Sequence, residues 1–71
     1  MKSDSIQARD SQLPKLLTPV EAAAMLRISR AGVYRLVENR ALPFYRVQGS
    51  LRFSEEDLNR YLASRRVESV S

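Results

Sequence analysis

The amino-acid sequence predicts a small domain of the α+β class, mainly α, in which two short helices precede a β-hairpin and a third helix. Two observations lead to this prediction. Apolar residues recur at helical spacing in three short segments, each beginning with a capping residue, and the spacing changes to alternation after Pro43. With 71 residues the chain is near the lower limit at which one core is stable without disulfides or metals.

The folded domain is expected to cover residues 13–66. Residues 1–12 are polar, carry charges of both signs and have little to bury, so we expect a disordered arm there. Leu13–Leu17 contains the first apolar cluster and is expected to lie against the core as an extended lead-in. Residues 67–71 are expected to form a flexible tail.

The first helix has a clear start signal. Thr18 is the predicted N-cap, Pro19 occupies the first helical position, and Glu21 completes a capping box. The helix is predicted to run to about Leu26. Its three consecutive alanines, residues 22–24, leave room for another helix to approach closely.

The second helix follows a short turn at Arg27-Ile28 and begins after Ser29, its predicted N-cap. Its inward stripe has the spacing i, i+3, i+4 and consists of Val33, Leu36 and Val37. The opposite face carries Arg30, Ala31, Tyr34, Arg35 and Glu38. Two short helices joined by a tight turn, with an outward basic face on the second, are typical of a helix-turn-helix.

The segment after Pro43 alternates like a hairpin. We predict a three-residue loop at residues 48–50, which sets Val47 opposite Leu51 and Arg46 opposite Arg52, with Tyr45 opposite Phe53. A two-residue loop at residues 49–50 would mix the two faces. Directly opposed arginines are mildly destabilising, which is reasonable if that face meets phosphate.

The third helix begins at Ser54, with acidic residues 55–57 in its first turn. Its apolar stripe, which is expected to close the core, consists of Leu58, Tyr61 and Leu62. Arg65 and Arg66 are expected to interact with the dipole at its C-terminal end.

The positive charge is concentrated in the middle of the chain. The whole sequence has 12 Lys+Arg and 8 Asp+Glu, a net charge of +4. Between Arg27 and Arg52 there are six arginines and only one acid, Glu38, which gives +5 and leaves −1 for the remaining residues. This distribution favours a polyanion as partner.

The composition argues against other functions. There are no cysteines and no histidines, and no glycine-rich phosphate loop, so we expect neither an enzyme nor a metal or other cofactor. The acids at residues 55–57 are explained by helix capping. No apolar run has the length of a membrane span or a signal peptide, so we expect a cytoplasmic, nucleoid-associated protein with no membrane partner and no small-molecule effector.

A basic helix beside a basic hairpin suits double-stranded DNA, so the domain is predicted to be a winged helix-turn-helix. The predicted contacts of the recognition helix are Ser29, Arg30, Ala31, Tyr34 and Arg35. Those of the wing are Arg46, Gln48, Ser50 and Arg52, and the flanking electrostatic residues are Arg27 and Arg40.

Individual roles follow from side-chain chemistry. Arg30 or Arg35 is expected to pair with a guanine edge, which is worth ~1–3 kcal/mol of discrimination. Ser29 lies where a hydroxyl and helix N-terminal amides meet phosphate. Gln48 and Ser50 would make neutral phosphate or minor-groove contacts. For Tyr34, a role at the core margin and a DNA contact are both open.

With these residues in place, the chain resembles the excisionase family of small winged-helix proteins, related to the N-terminal domain of MerR-type regulators. The resemblance covers Leu16 to about Leu62. It rests on residues 17–23 (LTPVEAA), 28–30 (ISR), 33–37 (VYRLV), 42–43 (LP), 46–47 (RV), 52–53 (RF), 57–58 (DL) and 61–62 (YL). The family often has glycine where this chain has Arg27 and Arg40. Both positions are expected to need left-handed backbone, or Asn39 could take the second such role.

The resemblance implies an architectural protein without a catalytic centre. Several copies would bind tandem sites in a phage or mobile-element attachment region, bend the DNA and help a tyrosine recombinase (integrase) to excise. The recombinase would contact the third helix and the tail to Ser71. MerR-type regulators continue into a long dimerising helix, whereas this chain ends nine residues after Leu62. We therefore expect copies side by side on DNA.

Two alternatives remain at this point. The first is a small winged-helix transcriptional regulator of a phage, plasmid or bacterial promoter. The second is a protein-interaction module that only anchors a complex to DNA, which predicts weak binding without sequence preference.

Overall fold

The computed structural model describes residues 13–69 and confirms the predicted class, a small α+β winged helix-turn-helix. None of the helices in this range is long and apolar enough to cross a membrane. The elements, in chain order, are β1 (Leu16–Leu17), α1 (Pro19–Leu26), α2 (Arg30–Glu38), β2 (Tyr45–Val47), β3 (Ser50–Ser54) and α3 (Glu55–Ser64).

Three antiparallel strands form a small sheet in the order β1-β3-β2. The expected extended lead-in is a strand, in which Leu16 pairs with Ser54 and Leu17 with Phe53. The pairing of this segment was not predicted, because two residues are too few to show alternation. It fixes β3 at the centre of the sheet.

The core lies where α1, α2, α3 and β3 meet. Its fully buried large side chains are Val33, Leu42, Phe53 and Leu58. Ala22 is also fully buried, and its small side chain allows the close approach of helices expected for this helix. Leu62 departs from the predicted stripe, because it is 43% exposed.

The predicted helix starts are confirmed by hydrogen bonds. The Thr18 hydroxyl accepts from the Glu21 amide at 3.1 Å, and the Glu21 carboxylate accepts from the Thr18 amide at 2.9 Å. The Ser29 hydroxyl accepts from the Gly32 amide at 3.1 Å, and that of Ser54 from the Asp57 amide at 2.9 Å. These caps satisfy backbone donors that have no partner within the helix.

Two left-handed residues end α1 and α2. Arg27 and Arg40 both have φ of 58°, as expected for positions that are often glycine. Asn39, the alternative for the second position, has φ of −84° and is not left-handed. The reason is the length of α2, which continues to Glu38 and so places the reversal one residue later.

The predicted hairpin register is wrong. Tyr45 pairs with Arg52, Arg46 with Leu51 and Val47 with Ser50, so the loop has two residues, Gln48 and Gly49. Their φ values of 51° and 81° are those of a type I′ turn, whose twist matches that of the flanking strands. Arg46 and Arg52 therefore do not oppose each other and lie on opposite faces of the hairpin.

Candidate nucleic-acid interface

The face of α2 that is turned away from the core is polar and basic. Five of its residues are exposed: Arg30, Ala31, Tyr34, Arg35 and Glu38. Val33, on the inner face, is fully buried, and Leu36 and Val37 are partly buried against the core. Burial of this inner stripe fixes the rotation of α2, so the basic face is held towards solvent.

Ser29 sits at the N-terminal end of this face. Its hydroxyl oxygen accepts the Gly32 amide, as described above, which leaves the hydroxyl proton available for donation. The residue is exposed. A phosphate at this end would meet a hydroxyl donor and the positive end of the helix dipole.

Tyr34 lies on α2 and faces a cleft that the hairpin also borders. It lines a cleft of about 410 Å³ together with Pro19 at the start of α1 and residues 49–52 of the hairpin. Tyr34, Ser50 and Arg52, three of the predicted contact residues, therefore border one cleft. The phenol is 42% exposed, so it is accessible from solvent on the cleft side.

Arg52 is held by the hairpin backbone. Its Nη1 donates a hydrogen bond of 2.7 Å to the carbonyl oxygen of Leu51, and the side chain is partly buried. One N–H group of the guanidinium is thus used within the hairpin, and the remaining N–H groups are available to donate hydrogen bonds to a ligand.

Arg46 lies on the other face of the hairpin. Its guanidinium carbon is 5.8 Å from the centroid of the Phe44 ring, within cation–π range. Phe44 in turn lines a groove of about 630 Å³ at the C-terminal end of α2, together with Val37 and Arg40. Arg46 thus contacts Phe44, which borders this groove, and does not share a face with Arg52.

The remaining wing residues lie at the tip. Gln48 is exposed in the turn, as expected for the loop, whereas Ser50 belongs to β3 and is the first residue after the turn. Phe44 was not predicted from the sequence as a residue of this surface. Its spacing of two residues before Arg46 was the available signal, because residues two apart in a strand share a face.

The basic residues of this surface have no internal counterions within the described residues. Across 13–69 the ion pairs join Arg60 to Glu56 and Asp57, and Arg66 to Glu68. None involves the six arginines between Arg27 and Arg52. The positive field of α2 and the hairpin is therefore not neutralised by this part of the chain.

The fold and this surface define a small winged helix-turn-helix protein. A family model described as "Helix-turn-helix domain" matches residues 16–66, and the chain belongs to this family. Within the same range of the structure, 13–69, acidic side chains form no group of three or more that could hold a metal ion.

Curated relatives share this segment. The chain is 53% identical over 38 residues to "Putative DNA-binding protein Rv0500A" of Mycobacterium tuberculosis strain H37Rv, a match that covers 54% of this chain and 49% of that protein. It is 40% identical over 47 residues to "Uncharacterized protein YvgK" of Bacillus subtilis strain 168, which covers 66% of this chain and 15% of that protein. The matches thus span about half of the mycobacterial protein and a small part of the Bacillus one.

Proposed function

We propose that this protein binds double-stranded DNA, with α2 in the major groove and the hairpin along the backbone. One observation carries the proposal: Arg30 and Arg35 are exposed on the same face of α2 as Tyr34, Tyr34 shares a cleft with Arg52 of the hairpin, and none of these arginines has an ion-pair partner within residues 13–69. The mycobacterial relative is named as a DNA-binding protein, which supports the same conclusion.

The dimensions of α2 suit this arrangement. An α-helix with its side chains is about 10–12 Å across, which fits the ~12 Å width of the major groove. The nine residues of α2, at about 1.5 Å each, extend about 13 Å within it. In a helix-turn-helix, residues near the N-terminus of the second helix reach base edges. Arg30 occupies that position, and Arg35 lies further along the exposed face.

The hairpin contributes contacts of two kinds. Arg46 is exposed and lies over the Phe44 ring, so it provides a solvent-facing cation for phosphate. Arg52 is anchored to the hairpin backbone and borders the cleft beside Tyr34, so it provides a fixed donor. Neither contact reads base sequence, and together they set the position of α2 in the groove.

We further propose a non-catalytic, architectural role like that of excisionases. Copies would bind side by side at tandem sites in an attachment region, bend the DNA and assist a tyrosine recombinase in the cytoplasm. The resemblance of residues 16–62 to that family supports this role. Bending would cost on the order of 1–6 kcal/mol, which the added phosphate contacts offset.

A transcriptional regulator on the same fold is the second candidate. It is supported by the match of residues 16–66 to the helix-turn-helix family and by the mycobacterial relative named as a DNA-binding protein. The two candidates share the DNA surface and differ in the arrangement of sites.

The deciding experiment is footprinting on genomic fragments of the source organism, with mobility shifts that report stoichiometry and bending. Protected tandem repeats near a recombinase gene, filled stepwise with bending, are the result expected for the architectural role. One symmetric site over a promoter would favour the regulator. Absence of any protected sequence at ~100 mM salt would contradict sequence-specific DNA binding and indicate an anchoring module.

A further inference from the structure

Arg27 and Arg40 occupy equivalent positions at the ends of the two helices of the helix-turn-helix. After α1, the Arg27 amide donates to the Ala24 carbonyl at 3.2 Å and that of Ile28 to the Ala23 carbonyl at 3.0 Å. The same two bonds recur after α2. The Arg40 amide donates to the Val37 carbonyl at 3.0 Å, and the amide of residue 41 donates to the carbonyl of residue 36 at 2.9 Å. Both ends are Schellman motifs, in which the left-handed residue is usually glycine.

Arginine is an unfavourable choice for this backbone. At φ of 58° the Cβ atom of an L-residue crowds the backbone, whereas glycine adopts the conformation without that strain. Neither arginine forms an ion pair with any of residues 13–69, and both are exposed. Within residues 13–69 neither side chain makes a hydrogen bond or ion pair that would offset the strain.

The third non-glycine residue with positive φ in this range is Gln48, at the tip of the wing. All three such residues therefore lie around the proposed DNA surface: one before α2, one after it and one on the hairpin. The turn accounts for the positive φ of Gln48, whereas at the two helix ends a side chain in place of glycine can contribute a contact that glycine cannot.

We propose that Arg27 and Arg40 are a pair of phosphate anchors, one at each end of α2, retained for DNA contact at the expense of stability. This inference rests on the proposed function. Since α2 is about 13 Å long, cations beyond its two ends lie outside the part of the helix that would enter the groove, where the phosphates that border the groove are found.

The experiment replaces each arginine by glycine and measures both thermal unfolding and DNA binding. Arg27→Gly and Arg40→Gly are expected to raise the thermal midpoint by up to about 4–8 °C, because the strain is removed. The same variants are expected to bind all duplexes more weakly, and each is expected to reduce the slope of log K against log salt by about 1. The proposal therefore predicts a higher thermal midpoint together with weaker DNA binding in the same variant.

Matched variants separate the causes. Arg27→Lys and Arg40→Lys keep charge and strain, so they should keep the salt slope and the midpoint. Arg27→Asn and Arg40→Asn test the backbone with another residue that tolerates positive φ. Arg65→Ala, beyond α3, removes the same charge away from the proposed surface and should leave binding unchanged.

The outcomes distinguish this inference from the function on which it rests. If the glycine variants bind DNA like the wild type while Arg30→Ala binds weakly, the anchor proposal is overturned and DNA binding stands. A lowered midpoint in both the glycine and asparagine variants would also overturn it, since strain would not be the cost. If the wild type binds no duplex, both proposals fall.

Discussion

The guanidinium carbon of Arg46 lies 5.8 Å from the centroid of the Phe44 ring, within cation–π range. Phe44 also borders the groove at the C-terminal end of α2 that Val37 and Arg40 line. The aromatic ring therefore restricts where the cation can point. Of the two hairpin arginines, Arg46 is the one that lies over an aromatic ring, whereas Arg52 is bonded to the Leu51 carbonyl.

This contact predicts that removal of the Arg46 cation and removal of the Phe44 ring change DNA binding differently. Arg46→Ala should weaken binding to all duplexes and reduce the salt slope by about 1. Phe44→Leu keeps the charge and removes an interaction of about 0.5–1 kcal/mol, so we expect a smaller loss of affinity and an unchanged slope. Mobility shifts at several salt concentrations measure both. Equal slopes for wild type and Arg46→Ala would exclude the phosphate contact.

Arg52 should behave differently because it is bonded to the Leu51 carbonyl. Arg52→Ala is expected to lower the free energy of unfolding by about 0.5–1.5 kcal/mol, the usual net value of a hydrogen bond. Arg30→Ala, at an exposed position without an ion pair or side-chain hydrogen bond within residues 13–69, should change it by less than about 0.5 kcal/mol. Urea unfolding of the two variants makes the comparison, and equal stabilities would show that the Arg52 bond contributes nothing to the fold.

The helices could be predicted because their signals are local. Thr18, Ser29 and Ser54 each cap a helix through a side chain three residues from its partner, so the short segment itself contains the interaction. The inward stripe of α2 follows from the same local periodicity. The basic surface was predictable to the same extent, because it is the remaining face of a helix whose buried face is known.

The hairpin register depends on the conformation of the turn, which the alternation of apolar residues does not reveal. Residues 44–53 can be paired with a loop of two or three residues, and the apolar pattern favoured the longer loop by aligning Tyr45 with Phe53. The structure instead adopts the turn whose twist matches the strands, with Gln48 at positive φ. The assignment of Arg46 and Arg52 to one face failed with the register, since a slip of one residue reverses every side chain.

Ser29 caps α2 and is predicted to contact phosphate, and one substitution can separate these two roles. Asp caps helices about as well as Ser, so Ser29→Asp should retain the stability of α2. The added negative charge lies at the proposed phosphate contact, so DNA affinity should fall. Asn59→Asp adds the same charge at an exposed position on α3 and serves as the control. Unchanged DNA binding of Ser29→Asp would place the start of α2 away from the phosphates.

Arg30 and Arg35 are predicted to read bases. Replacing either with alanine should relax sequence preference at one position of the site, with a loss of about 1–3 kcal/mol of discrimination. Competition between variants of the footprinted site measures this position by position. A uniform loss of affinity for all sequences would instead assign that arginine to the phosphate backbone.

The turn at Gln48-Gly49 tests the observed register directly. Gly49 has φ of 81°, and no atom lies within 4 Å of where a Cβ would stand, so the penalty of Gly49→Ala comes from backbone conformation alone. We expect it to destabilise by about 1 kcal/mol. Gln48→Asn should stabilise by a few tenths of a kcal/mol, because Asn-Gly is the preferred pair in a type I′ turn. The three-residue loop predicted from the sequence contains no two-residue type I′ turn. In that register Gln48→Asn is therefore not expected to stabilise the protein. Thermal unfolding of the two variants, with NMR contacts between Arg46 and Leu51, therefore distinguishes the registers.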